Sequence, residues 1–166
     1  MIILGIDPGL ANTGWGVVEQ AGSRVRCLAY GCITTSPAEA LPERLAAIHQ
    51  RLRDVIARHR PHACAVESVY FGTNARTAFS TGQARGVAIL ATADASLELG
   101  EYGPGEIKLA VTGNGSADKR QTQYMVRIIL GLDAAPSSDH AADALAAAIC
   151  HAHWRTAPGA LRKAHA

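Results

Sequence analysis

No stretch of the 166 residues approaches eighteen consecutive apolar side chains, so no helix spanning a bilayer is expected. The N-terminus lacks a basic segment leading into an apolar core and a small-residue cleavage site, which argues against secretion. The four cysteines, Cys27, Cys32, Cys64 and Cys150, form no CxxC pair. Reduced, buried thiols in a cytoplasmic protein are the expected reading. Charge is modest too: 18% of residues are charged, the formal net charge is +2 and the pI is near 8.4. That balance permits a polyanionic partner without requiring one. The Gly113-Asn114-Gly115-Ser116 loop does not complete GxxxxGK[ST], so there is no nucleotide P-loop. It is either a place where backbone N–H groups approach a phosphate or a plain connection. Cys150-His151-Ala152-His153 lacks a fourth ligand and ends a helix, where histidine is favoured anyway, so it reads as structure and not as a zinc site.

What is present reads as one α/β domain over residues 1–154, without repeats or an internal linker, followed by a flexible basic tail over 155–166. Ile2 to Ile6 is a short apolar run of the kind buried on both faces of a sheet. The turn-rich Asp7 to Gly14 leads into Trp15 to Glu19, and Arg24 to Ile33 follows as a third strand. Leu41, Leu45, Ile48, Leu52 and Val55 mark one face of a helix ending before Pro61. Ala63 to Glu67 is a further buried strand, Arg76 to Ala95 a long helix rich in Ala and Gly, and Leu97 to Tyr102 a last strand. Helices are expected over Pro104 to Val111, Lys119 to Leu130 and Asp139 to Trp154.

Two carboxylates close apolar strands. Asp7 ends the first and Glu67 the fourth, and open α/β sheets bind ligands at the carboxyl ends of their strands. If the two strands are neighbours the carboxylates meet, and their repulsion calls for a cation between them. The stretch SDHAADAL, Ser138 to Leu145, offers Asp143 and two companions, Asp139 at i,i+4 and His140 at i,i+3. Spacing leaves those two level. The alanines around Asp143 let its helix lie close against a sheet, completing an acidic cluster suited to two divalent ions and phosphodiester hydrolysis.

The segments ILGIDPGLANTGWGVV, AVESVYFGTNARTAFSTGQARGVAI, GNGSADKRQTQYMV and HAADALAAAICHAH resemble those of the RuvC-type Holliday junction resolvases, from residue 2 to about residue 153. The resemblance implies an RNase H-like fold, a five-stranded mixed sheet flanked by helices. It implies a homodimer that cuts two strands of a four-way DNA junction with two divalent ions per site, Mg²⁺ or Mn²⁺, beside a branch-migration helicase of the RuvA and RuvB type. Catalytic and metal-binding roles carry over to Asp7, Glu67, Asp143 and, where many members have Asp, His140. An imidazole in place of a carboxylate favours Mn²⁺, which accepts nitrogen more readily than Mg²⁺. Asp139, one residue out of register, is expected to cap the helix. Lys119 is expected at the scissile phosphate. Further DNA contacts are expected from Tyr70 by base stacking, and from Phe71, Asn74, Arg76, Lys108 and Arg120. Gly82 and Gly86 suit the long helix to a dimer contact. Three other readings stand beside this one: a related RNase H-like nuclease acting on structured RNA, an actin-like ATPase fragment sharing the Gly5-Ile6-Asp7-Pro8-Gly9 turn, and a binding module without catalysis.

Overall fold

The computed structural model describes residues 1–68 and 75–156, apart from the side chains of residues 75–77 and 156. Strands β1 (Ile2–Asp7), β2 (Asn12–Ala21) and β3 (Arg24–Thr34) precede α1 (Leu41–His59), β4 (Ala63–Glu67), α2 (Ala75–Asp94) and β5 (Glu98–Tyr102). Three helices follow: α3 (Pro104–Thr112), α4 (Lys119–Leu130) and α5 (Asp139–Thr156). The order matches the reading of the sequence. The sheet runs β3-β2-β1-β4-β5, antiparallel on the β3-β2-β1 side and parallel across β1-β4-β5. It is the expected five-stranded mixed sheet.

Several boundaries differ from expectation by one to three residues. β2 begins at Asn12, not Trp15, because Gly14 still pairs with Asp7 and Asn12 with Thr34. α5 continues two residues past Trp154 to Thr156, and Arg155 is held by Glu98 at 2.5 Å. Residues 157–166 of the expected tail lie outside the described residues.

Each face of the sheet has its own core. Ile48, Leu52 and Ile56 of α1 and Ala84, Ala88 and Ala91 of α2 cover Leu4, Ile6, Val17, Cys64 and Val66. On the other face α3, α4 and α5 close over Ile3, Val18 and Ala65. α5 lies nearest the strands, and glycine makes that possible. A methyl group added at Gly5 would stand 1.9 Å from the Ala144 carbonyl oxygen, and one at Gly14 would stand 1.9 Å from that of His140. No side chain fits at either position without displacing the helix backbone. From Ala141 to Cys150 every residue of α5 is buried except Asp143. The helix is an apolar slab whose one polar interruption sits above the strand ends.

The cysteines are free, with Cys64 and Cys150 buried and Cys27 and Cys32 half-buried. His151 turns to the Tyr102 hydroxyl at 2.8 Å and His153 to the Ala110 carbonyl at 2.9 Å. Each histidine of the Cys-His-Ala-His stretch thus has a hydrogen-bond partner within the fold.

Candidate active site

The β1–β4 register decides where the first two carboxylates stand. Ile6 pairs with Val66, so the next residues, Asp7 and Glu67, end adjacent parallel strands side by side. The turn after Asp7 is fixed by residues that motif reading passed over. The Thr13 hydroxyl, fully buried, donates to the Gly9 carbonyl at 2.7 Å. The Thr35 hydroxyl donates to the Leu10 carbonyl at 2.6 Å, and Arg44 Nε donates in turn to Thr35 at 2.8 Å. α1 thereby braces the loop beside Asp7, a role for Thr35 and Arg44 that no local pattern announces.

The seating of α5 on Gly5 and Gly14 brings the other two candidates to the same edge. His140 Nδ1 lies 2.7 Å from Asp7 Oδ2. With its proton on Nδ1 the imidazole donates to Asp7 and keeps the Nε2 lone pair for another partner. Asp143 lies one turn deeper, with Lys119 Nζ 3.6 Å from its Oδ2. Lys119 is the first residue of α4, placed by a capping box. Asp118 Oδ1 accepts from the Gln121 amide at 2.8 Å, and Gln121 Oε1 accepts from that of Asp118 at 3.0 Å.

Asp139 corrects the sequence reading. It does not cap α5 but is the helix's first residue. The preceding Ser138 offers its hydroxyl to the Ala141 amide, at 3.4 Å, and its carbonyl to that of Ala142. Both Ser and Asp are good caps, and adjacent in sequence they cannot be told apart by preference alone. Freed from capping, Asp139 binds Lys119 Nζ at 3.0 Å and Gln123 Nε2 at 2.8 Å.

The charges show crowding. Burial pushes the Glu67 carboxyl from its usual 4.5 up to about 7, and the negative charges of Asp7 and Asp143 push the same way against Lys108 and Lys119. Asp143 is raised chiefly by burial, with Lys119 opposing. Carboxylates held together at this cost suit a divalent cation, and oxygen donors with one imidazole are a donor set for Mg²⁺ or Mn²⁺. Among the described residues, no group of three or more His, Cys, Asp or Glu side chains stands close enough together to hold a metal ion as arranged. Asp7 is engaged by His140 and Asp143 by Lys119, contacts that a cation would have to displace.

Known proteins match this architecture along nearly its whole length. A family model described as crossover junction endodeoxyribonuclease RuvC matches residues 3–151. The protein of that name from Desulforamulus reducens is 50% identical over 159 residues, covering 96% of this chain and 98% of its own. Its counterpart from Pelotomaculum thermopropionicum is 51% identical over 156 residues, covering 94% of this chain and 95% of its own. Thermus thermophilus RuvC in complex with Holliday junction substrate has a TM-score of 0.89 at 41% identity, over 93% of this chain and 94% of that one. The chain belongs to the RuvC family.

Membership in the RuvC family selects the crossover junction endodeoxyribonuclease reading over the RNA nuclease, the ATPase fragment and the binding module. A yeast mitochondrial Holliday junction resolvase, 12% identical with a TM-score of 0.64, shares the fold alone. Of the expected DNA contacts, Lys108 on α3 is half-buried and near enough to Glu67 for its charge to lower that carboxyl. Arg120 is exposed on α4. Tyr70, Phe71 and Asn74 lie outside the described residues, and Arg76 is in α2 with its side chain outside them. The Gly113 to Ser116 loop is internally tied, with the Asn114 amide donating to Thr112 Oγ1 at 3.1 Å and that of Ser116 to Asn114 Oδ1 at 3.0 Å.

Proposed function

We propose that this chain resolves four-way DNA junctions during recombination and repair, cutting two symmetry-related strands by metal-dependent hydrolysis to leave 5′-phosphate and 3′-hydroxyl ends. The observation that carries this reading is the convergence of Asp7, His140, Asp143 and Glu67 at one sheet edge in a chain of the RuvC family. Asp7, Glu67, His140 and Asp143 are the residues that would hold two divalent ions. When bound, such ions polarise the scissile phosphate and lower the pKa of the attacking water.

The chain's own groups complete the chemistry. Asp7 orients His140 through Nδ1, which leaves Nε2 to coordinate or to take a proton during attack. The Lys119 ammonium, at the mouth of the site and 53% exposed, neutralises charge on the phosphate. A divalent cation held here would favour the ionised form of Glu67, whose carboxyl the fold otherwise raises to about 7. His140 favours Mn²⁺ over Mg²⁺.

A junction with two equivalent strands needs two sites, and a two-fold dimer supplies them. α2 supports this: Phe79 is 71% exposed and Leu90 53% exposed. Gly82 and Gly86 on the same helical face have open space before them. The dimer pairs through that face, and Tyr70, Phe71, Asn74, Arg76, Lys108 and Arg120 contact the junction. The protein works in the cytoplasm beside a branch-migration complex of the RuvA and RuvB type. No helix among the described residues is long and apolar enough to cross a membrane.

The test offers a synthetic mobile junction, linear duplex and structured RNA side by side, with Mg²⁺ or Mn²⁺. Paired symmetric nicks in the junction alone are expected. Preferential cleavage of the RNA would reassign the substrate.

A further inference from the structure

Lys119 is shared between two carboxylates of unequal standing. Asp143 Oδ2, part of the candidate metal site, is 3.6 Å from its Nζ, whereas Asp139 Oδ2, outside that site, is at 3.0 Å. Asp139 has a second anchor on the same helix face, since its Oδ1 accepts from Gln123 Nε2 at 2.8 Å and Gln123 lies four residues after Lys119. The first turn of α5 thus grips α4 at two points, and the ammonium lies nearer to Asp139 than to Asp143.

We propose that Asp139 is a positioning residue that competes with Asp143 for Lys119, weakening the ammonium's hold on that carboxylate so that a divalent cation can displace it and the ammonium can face the substrate phosphate. This rests on the metal-site reading above and adds a residue to it. Without Asp139 the nearest anion to the Lys119 ammonium is Asp143, and a lysine settled there competes with the metal for the same oxygens. An exposed ion pair adds little to fold stability. Melting temperature is therefore the wrong readout, and metal affinity the right one.

The experiment is Mn²⁺ binding, followed by the loss of free-ion EPR signal, for wild type, D139N, D139E, K119A and the D139N/K119A double variant, without DNA. D139N is expected to weaken Mn²⁺ binding on the order of two- to fivefold, the scale of one exposed charge pair. D139E should restore it, because the longer carboxylate still reaches the ammonium. Adding D139N to K119A should change nothing, since no lysine remains to settle on Asp143. Unchanged Mn²⁺ binding in D139N would overturn the proposal. So would an equal loss in the K119A background, which would make Asp139 a distant charge acting on the metal directly. A wild type that binds no Mn²⁺ would overturn the proposal together with the metal site, and is distinguishable because all five proteins would then behave alike.

Discussion

Replacing Glu67 by Gln is expected to stabilise the metal-free protein while destroying its activity. The fold lifts this carboxyl from its usual 4.5 to about 7, through burial first and the charges of Asp7 and Asp143 second. The folded state therefore holds a proton that the unfolded chain has already lost between those values, so stability falls as pH rises through the window. Below about 4.5 no penalty exists; above about 7 it is fully present. A displacement of this size corresponds to about 3 kcal/mol, and about 2 kcal/mol remains after allowing for partial exposure and screening. The neutral amide of Gln escapes the penalty at nearly the same shape. In EDTA at a pH of about 8, E67Q should gain about 2 kcal/mol, or roughly 4–8 °C in Tm for a chain of this size. At a pH of about 5 the gain should shrink to a fraction of that. Differential scanning calorimetry at the two pH values measures it. Equal gains at both, or a loss at the higher pH, would refute the argument that the fold crowds this carboxylate.

His140→Ala should reduce junction cleavage by at least about a hundredfold, the lower range for a positioned acid–base group. His140→Asp should retain cleavage and lower the Mg²⁺ concentration needed relative to Mn²⁺. Metal titrations of both variants check these outcomes. Gly14→Ala should cost about 1–3 kcal/mol by urea unfolding and should cripple cleavage as well, because its methyl group pushes on the His140 carbonyl. Phe79→Glu should leave a folded monomer by analytical ultracentrifugation, with paired nicking lost, since Phe79 stands open on the face assigned to the dimer.

Asp7 and Glu67 were legible because each ends a short apolar strand, and strand ends at a sheet's carboxyl edge are where ligands gather. Their adjacency still depended on β1 and β4 being neighbours, a long-range pairing that spacing suggests without fixing. The closeness of α5 was half visible. The alanines beside Asp143 announced a helix able to approach a sheet, but that Gly5 and Gly14 form its seat depends on which strand faces lie beneath it. The choice between Asp139 and His140 needed family register, and the structure then gave His140 a bond to Asp7. The misreading of Asp139 has a local cause. Ser138 and Asp139 are both capping residues, and the true cap depends on where α5 leaves the preceding loop. Its contact with Lys119 depends on how α4 meets α5, which lies beyond any local pattern.

The central claim is that the edge formed by Asp7, Glu67, His140 and Asp143 is the metal-dependent centre that cuts junctions. Asp7→Asn tests it most directly, with cleavage and binding of one synthetic mobile junction measured in parallel under Mg²⁺ and Mn²⁺. Wild type should give paired symmetric nicks with either ion, and the variant should bind the junction with undiminished affinity and cut nothing. Cleavage by the variant at the wild-type rate would contradict the account.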